Sequence, residues 1–188
     1  MAFYTDEELK ELGFKSIGLN VKLSKHASIY GASNISIGDN SRIDDFCVLS
    51  AGEGGIDIGR YVHIAVYASI IGAGKVTLED FTCLSGRVSI YSSNDDYSGD
   101  FMTNPCVPAK YTNVTQASVT LKKHSLVGAG SIVLPGVDIG ECAAVGSLSM
   151  VNKSLEGGYI YIGQPAKKLI KRSRKCQELE SEFLSDEV

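Results

Sequence analysis

Residues 121–151 read LKKHSLVGAGSIVLPGVDIGECAAVGSLSMV and carry a six-residue repeat that decides the fold. One column of the repeat is aliphatic: Leu121, Val127, Val133, Ile139, Val145 and Val151. A second column, four residues later in each unit, is small: Ser125, Ser131, Val137, Ala143 and Ser149. Because strand side chains alternate, residues i and i+4 face the same side. Each unit is therefore predicted to be a short strand with one large and one small inward side chain, followed by a corner.

The same pattern runs upstream in three interrupted triplets: Ile37, Ile43 and Leu49; Ile58, Ile64 and Ile70; Leu78, Leu84 and Ile90. Three such strands would close one triangular coil, and stacked coils would bury a continuous aliphatic column. A period of six fits no helix, and a β-sandwich would not hold phase over this distance. Gly128, Gly140 and Gly146 directly follow inward aliphatics, where we expect corners that need a positive φ.

Three segments leave the repeat. Residues 5–12 are predicted to form a short helix with Thr5 as N-cap and Glu8 completing a capping box. Residues 92–118 are predicted to form a long excursion, and a loop of that length in a compact domain is usually functional. Residues 166–184 are predicted to form a terminal helix that caps the open end of the solenoid.

Composition bounds the class of protein. With 188 residues, a net charge of -4, 44% hydrophobic and 21% charged residues, the chain is expected to form one globular domain and not to bind nucleic acid. We expect an N-terminal helix region at 1–16, a β-helix at 17–163 and a C-terminal helix region at 164–188. The five cysteines form no CxxC or Cys/His cluster, so neither a disulfide framework nor a metal site is expected. No apolar run is long enough to insert in a membrane and the N-terminus is polar, which favours the cytoplasm.

A family resemblance rests on two sets of motifs. Residues 127–151, followed by YIGQPAKKLIKR at 161–172, resemble the C-terminal signature of hexapeptide-repeat acyltransferases of the galactoside acetyltransferase type. RIDDFCVLSAG at 42–52 and SSNDDYSG at 92–99 resemble acyltransferases that modify the amino group of nucleotide-linked 4-amino-4,6-dideoxy sugars. The resemblance covers about residues 17–175. It implies an all-β fold, a left-handed parallel β-helix, in a homotrimer with active sites in clefts between neighbouring solenoids.

The resemblance also implies that acetyl-CoA lies along the later coils. Small corner residues would let its pantetheine arm approach the backbone: Ala129, Gly130, Gly146 and Ser147. Basic residues near the C-terminus would hold its phosphates: Lys153, Lys167, Lys168, Lys171 and Arg172. The alternatives are corner glycines without a ligand role and a solvated basic helix face.

The acceptor end is expected at the excursion, where galactoside-type members have a catalytic histidine. Here the residues are Asn94, Asp95, Asp96 and Tyr97, and no histidine is present. An amine needs less activation than a hydroxyl, so we expect Asp95 or Asp96 to orient an amine and accept its proton. Repulsion between the two carboxylates would raise one pKa. The alternative is a turn rich in Asn and Asp.

Further residues are expected around the acceptor. Ser85 and Arg87 lie one coil below and would reach the sugar or its pyrophosphate, and Asn94, Tyr97 and His63 are also assigned to substrate binding. The predicted activity is transfer of an acetyl group to the amino group of a nucleotide-linked sugar, dTDP being the expected nucleotide, in surface polysaccharide (O-antigen, lipopolysaccharide) synthesis.

Two alternatives remain open at this point. The first is O-acetylation of a sugar hydroxyl with His63 or His124 as base, because both are expected to point out of the solenoid; His26 is the weaker candidate. The second is a non-catalytic β-helix that serves as a scaffold or small-ligand binder.

Overall fold

Three sheets form the walls of a left-handed parallel β-helix in the computed structural model, which describes residues 2–186. The first sheet contains Ser16–Ile17, Ile35–Ile37, Ile56–Ile58, Val76–Leu78, Val119–Leu121 and Asp138–Ile139. The second contains Lys22–Leu23, Arg42–Ile43, His63–Ile64, Cys83–Leu84, Leu126–Val127, Ala144–Val145, Tyr159–Ile162 and Lys167–Lys171. The third contains Ser28–Tyr30, Val48–Ala51, Ser69–Gly72, Ser89–Tyr91, Ile132–Val133 and Met150–Val151. Taking one strand from each sheet in turn gives the coils, numbered 1 to 6, and Tyr159–Ile162 begins coil 7.

The core follows the two predicted columns, and every residue of both columns is buried. The large column supplies the aliphatic packing that stabilises the stack. Two serines of the small column bond backbone polar groups of the next coil. Ser131 Oγ donates to the Gly146 carbonyl at 3.0 Å, and Ser149 Oγ accepts from the Gly163 N–H at 3.0 Å. A larger side chain at these positions would displace the neighbouring corner.

Corner conformation differs from the expectation for Gly128, Gly140 and Gly146, none of which has a positive φ. A Cβ on Gly140 would lie 2.3 Å from the Gly157 nitrogen, so these glycines allow close approach between coils instead. Most left-handed positions at the first two corners carry residues larger than glycine. Those between the first and second sheets, the first corner, are Asn20, Asn40, Tyr61, Phe81, His124 and Cys142. Those between the second and third sheets, the second corner, are Phe46, Tyr67, Arg87, Gly130 and Leu148.

The N-terminal end of the solenoid is covered by helix α1, Asp6–Glu11. The capping box is present: Thr5 Oγ1 accepts from the Glu8 N–H at 3.3 Å, and Glu8 Oε2 accepts from the Thr5 N–H at 2.8 Å. The helix buries Leu9 against the core. The cap therefore protects the first coil's apolar interior.

The C-terminal segment differs from the predicted helix at 166–184. Lys167–Lys171 is a strand antiparallel to Tyr159–Ile162, because Gly163, with φ 101°, and Pro165 turn the chain back onto the last sheet edge. Helix α2 begins only at Lys175 and extends to Asp186. It lies along the first corner, not over the open end, so the expected cap is wrong. No helix in residues 2–186 is long and apolar enough to cross a membrane.

The excursion leaves the β-helix after Tyr91, and the chain returns at Val119. Its base is a two-stranded antiparallel ribbon of Ser93–Asn94 and Thr115–Gln116. A 3-10 turn, Ala109–Tyr111, lies farther out. The ribbon fixes where residues 95–97 emerge beside the third sheet. Another 3-10 turn, Ala32–Asn34, lies between the first and second coils.

Replacing Leu84 by alanine should cost about 2–5 kcal/mol of unfolding free energy, since this side chain is fully buried in the aliphatic column. The matched control is Leu19→Ala, because Leu19 is 76% exposed, and its cost should stay within about 0.5 kcal/mol. Urea unfolding followed by circular dichroism measures both. Equal costs for the two variants would contradict the packing described here.

Candidate functional site

A cleft of about 410 Å³ opens between the excursion and the third sheet. Its floor is apolar, and its lining residues are Tyr91, Ser93, Asn94, Asp95, Tyr97, Ile132, Leu134 and Met150. Asp95 is exposed at this cleft, and Tyr97 is 87% exposed. The combination of an accessible carboxylate, exposed aromatic surface and an apolar floor suits a polar ligand with a ring system.

The two neighbouring aspartates have different surroundings. Asp96 Oδ1 accepts from Ser98 Oγ at 2.6 Å, the Ser98 N–H at 2.9 Å and the Gly99 N–H at 3.2 Å. These bonds, led by the Ser98 hydroxyl, lower the pKa of Asp96 below its ordinary value. Asp96 is therefore not the carboxylate whose pKa the sequence expectation would raise. Asp96 holds the turn, whereas Asp95 faces the cleft.

The second corner brings the predicted pantetheine residues together. Ala129 and Gly130 lie at the corner of coil 5, and Gly146 and Ser147 lie at the same corner of coil 6. The coils bond there: the Leu148 N–H donates to the Ala129 carbonyl at 2.9 Å. Ala129 and Ser147 are exposed. These four residues form a narrow strip along the second corner. From this strip the chain continues to Ile132 in coil 5 and to Met150 in coil 6, and both residues line the cleft floor.

Ser85 and Arg87 occupy the same corner one coil below, not the cleft. The Gly130 N–H donates to the Gly86 carbonyl at 3.0 Å, which stacks coil 5 on this position. The Arg87 guanidinium lies over the Tyr67 ring, 5.5 Å from its centroid. The strip of small residues at the second corner therefore ends beside Ser85 and Arg87 in coil 4.

The predicted phosphate-binding residues do not form one cluster. Lys167 and Lys171 are exposed at opposite ends of their strand, and Lys153 lies exposed after coil 6. Lys168 Nζ pairs with Glu156 at 2.5 Å and lies 3.8 Å from the Tyr159 ring centroid.

Arg172 has a structural role. Its Nη1 donates to the carbonyls of His124, Ala143 and Cys142 at 3.0, 3.1 and 3.2 Å. The guanidinium therefore ties the C-terminal segment to the first corner. This use of Nη1 favours a structural role over the expected contact of Arg172 with a CoA phosphate.

His63 belongs to a polar ladder on the outer face of the second sheet. Its Nε2 lies 3.0 Å from Asp44 Oδ2, and Arg42 Nε donates to Asp44 Oδ1 at 2.6 Å. Burial opposes ionisation of Asp44, but these two partners outweigh it and lower the pKa of Asp44. Cys83, with Asp44, raises the pKa of His63 above its ordinary value, although partial burial opposes this.

Sequence reasoning missed Asp44 and Cys83 as partners of His63. The six-residue repeat itself contains the information needed to predict these partners. Arg42, His63 and Cys83 are outward residues at matching positions of coils 2, 3 and 4, so parallel pairing stacks them. Asp44 lies two residues after Arg42 and faces the same side.

His124 points out of the solenoid as expected, but helix α2 covers it. Its ring stacks on Phe81 with centroids 5.1 Å apart, and its Nε2 lies 2.7 Å from Glu180 Oε2. Only 9% of the residue is exposed. His26 is exposed beside Phe46, with centroids 5.7 Å apart. Neither histidine lines the cleft.

Comparison with known proteins places this geometry in a class. The chain is 58% identical over 183 residues to dTDP-4-amino-4,6-dideoxy-D-glucose acyltransferase of Escherichia coli, covering 97% of this chain and 95% of that protein. It matches the N-acyltransferase AntD of Bacillus cereus, in complex with dTDP-4-amino-4,6-dideoxyglucose and coenzyme A, with a TM-score of 0.94 and 48% identity over 98% of this chain and 97% of that one. AntD with dTDP and 3-hydroxybutyryl-CoA matches with a TM-score of 0.92, 48% identity and the same coverage of both chains. No protein-family model matches the chain.

Fold and comparisons together define a hexapeptide-repeat acyltransferase, the class indicated by the six-residue repeat. Within that class, the chain belongs to the acyl-CoA-dependent N-acyltransferases. AntD structures also exist with a serine replaced by alanine, cysteine or threonine, and with an aspartate ten positions later replaced by asparagine or alanine.

Cys83 and, after it, Asp44 raise the pKa of His63, and Asp44→Asn should lower that pKa because it removes the facing negative charge. A raised folded-state pKa means that the His63 contribution to stability is present below the unfolded value of about 6.5 and is lost as pH rises through the folded value. NMR titration of the ring protons measures the pKa. Asp57→Asn, which removes a carboxylate from the first sheet, is the matched control and should leave the His63 titration unchanged. An unchanged His63 pKa in Asp44→Asn would contradict the pairing of His63 with Asp44.

Proposed function

We propose that this protein transfers an acetyl group from acetyl-CoA to the 4-amino group of dTDP-4-amino-4,6-dideoxyglucose. The observation that carries the proposal is the 58% identity, over 97% of the chain, to an enzyme named for this acceptor. The AntD complexes support it, because they hold the same dTDP-linked sugar and coenzyme A on the same fold. The product would serve surface polysaccharide synthesis, and the cytoplasm would supply both substrates.

In this mechanism the neutral amine attacks the thioester carbonyl directly. A C–N bond forms, and backbone N–H groups facing the cleft stabilise the oxyanion of the tetrahedral intermediate. The intermediate then expels the thiolate of CoA. Asp95 orients the amine by accepting its hydrogen bond and takes the proton that the new ammonium group releases. Asp95 suits this role because it lines the cleft, whereas the hydrogen bonds of Asp96 are used by the turn.

The variants known for AntD support the same assignment. In these variants either a serine or an aspartate ten positions later in that protein is replaced. Ser85 and Asp95 of this chain have the same residue types at the same separation. We therefore assign Ser85 to the acceptor site together with Asp95, with Arg87, Asn94, Tyr97 and His63 as further substrate contacts.

For the donor, we assign the pantetheine arm to the second corner beside Ala129, Gly130, Gly146 and Ser147. This path runs from the C-terminal strands toward the cleft floor at Ile132. Lys167 would contact the CoA phosphates, because it is an exposed cation whose strand partner Ile162 lies against Gly146 at the second corner. Lys153 and Lys171 are exposed cations on either side of this position, and we assign them to the same phosphates as more distant charges. Lys168 would contribute less, since Glu156 already neutralises it.

The active unit is proposed to be a homotrimer with each site between two copies. The cleft supports this, because its apolar floor and Tyr97 form one open wall. Ser85, Arg87 and His63 lie on other outward surfaces of the solenoid, so a neighbouring copy would bring them to the cleft. Sedimentation velocity tests the stoichiometry directly.

The acceptor is tested by incubating the protein with acetyl-CoA and either dTDP-4-amino-4,6-dideoxyglucose or dTDP-6-deoxyglucose, which has a 4-hydroxyl. We expect acetylation of the amine alone, measured as product mass by mass spectrometry, because an amine needs no strong base in the cleft. Transfer to the hydroxyl would instead support O-acetylation and return the role of base to His63. Absence of transfer to either acceptor would refute the proposed acceptor.

Asp95→Asn should lower kcat for the amine by about 10²–10⁴-fold, since asparagine keeps the shape but cannot accept the proton. Asp96→Asn is the matched control, because its amide oxygen can still accept the turn hydrogen bonds, and it should lower kcat less than about 10-fold. Circular dichroism confirms that both variants fold. Full activity in folded Asp95→Asn would exclude this carboxylate as the proton acceptor.

A further inference from the structure

Two cysteines face each other where helix α2 joins the β-helix. Cys142 Sγ lies 3.6 Å from Cys176 Sγ, although 34 residues separate them in the chain. Cys142 is buried at the first corner of coil 6, and Cys176 lies partly exposed in the first turn of α2. A disulfide requires an S–S distance of about 2.05 Å, so the sulfurs need a further approach of about 1.5 Å.

Contacts on both sides hold the two cysteines in register. Gln177 Nε2 donates to Glu141 Oε1 at 3.0 Å, which joins the residues that follow Cys176 and precede Cys142. The Arg172 guanidinium donates to the carbonyl of Cys142 itself at 3.2 Å. These hydrogen bonds fix residues 172–177 on the first corner of coil 6, and this places the two thiols next to each other.

The other cysteines are placed differently. Cys47 is buried in the small column, where its thiol lies 3.1 Å from the Ala65 carbonyl. Cys83 lies beside His63 on the second sheet, and Cys106 is exposed on the excursion. Within the part of the chain that is described, Cys142 and Cys176 form the one pair of thiols in contact.

We propose that Cys142 and Cys176 are a modification site that forms a reversible disulfide when a low-molecular-weight disulfide such as oxidised glutathione is present. Cys176 attacks first because it is accessible, forming a mixed disulfide and releasing one glutathione. Cys142 then attacks the Cys176 sulfur and releases the second glutathione. Two thiols lose two protons and two electrons, and one glutathione disulfide becomes two thiols. Burial raises the pKa of Cys142 to about 11, which makes the second step the slow one.

The cross-link would fix α2 on the first corner. The same helix places Glu180 on His124 and Phe183 against Tyr61 and Phe81. Closing a loop of this length restricts the unfolded chain, so oxidation should stabilise the folded protein.

The test is incubation of the purified, fully reduced protein with excess oxidised glutathione at pH 8.5. We expect a mass loss of about 2 Da, a peptide that joins residues 142 and 176, and a Tm rise of about 5 °C that dithiothreitol reverses. Cys176→Ser should abolish all three changes, and it keeps the buried Cys142 in place. Cys106→Ser is the control and should leave them intact.

Two outcomes would overturn the proposal. One is a protein that gains only glutathione adducts, each about 305 Da, with no joined peptide. The other is a disulfide that forms equally in Cys176→Ser, which would place it at another pair. Neither outcome bears on acyl transfer, which is assayed on the reduced protein.

Discussion

Every coil must return to a hydrogen-bonding position one strand spacing, about 4.8 Å, above the coil before it, and the rest of the structure depends on this closure. The constraint fixes the repeat of six. Within a triplet, a shift of one residue would move the inward side chain to the solvent face. The longer steps between triplets, from Leu49 to Ile58 and from Ile70 to Leu78, are accommodated between the third and first sheets, and all four residues stay buried. The constraint also explains the corners. At Tyr61 and Phe81 the left-handed N–H donates to the preceding coil at 2.9 Å, and the two rings stack with centroids 5.0 Å apart. These contacts offset a conformational cost of about 1–2 kcal/mol per residue.

Closure also determines which outward residues can work together. Residues that share a position in successive coils become neighbours, although 16 or more residues separate them in the chain. Arg42 and His63 are paired in this way, and Asp44, two residues after Arg42, reaches the His63 ring from the same face. The strip of small residues at the second corner has the same origin. The residues proposed for the site therefore lie in columns across the coils, and the excursion adds the Asp95 side of the cleft.

The repeat could be predicted from the sequence because its signal is local and is repeated many times. Both inward columns and the capping box of α1 follow from spacing alone. The corner glycines could not be interpreted this way, since Gly140 is required by the approach of Gly157 in another coil. The different surroundings of Asp95 and Asp96 depend on where Ser98 folds back, which no periodicity shows. The C-terminal strand was missed because its partner is a sheet edge that exists only after coil 7 has formed.

The position of α2 follows from matching helix rise to coil spacing. Cys176, Glu180 and Phe183 contact coils 6, 5 and 4 in turn, and seven residues of helix rise about 10.5 Å while two coil spacings are about 9.6 Å. One stripe of α2 can therefore contact successive rungs of the first corner. This placement encloses His124, so that its imidazole is committed to Glu180.

The pairing of His124 with Glu180 affects which acceptor group the protein can acylate. A carboxylate is a weak base and would remove a proton poorly from a sugar hydroxyl. A carboxylate is a sufficient proton acceptor once a neutral amine has attacked, because the ammonium of the tetrahedral intermediate gives up its proton readily. A cleft lined by Asp95 and no histidine, among the residues described, is thus suited to an amine. A hydroxyl acceptor would require a stronger base, and His124 is covered by the helix while His63 lies outside this cleft.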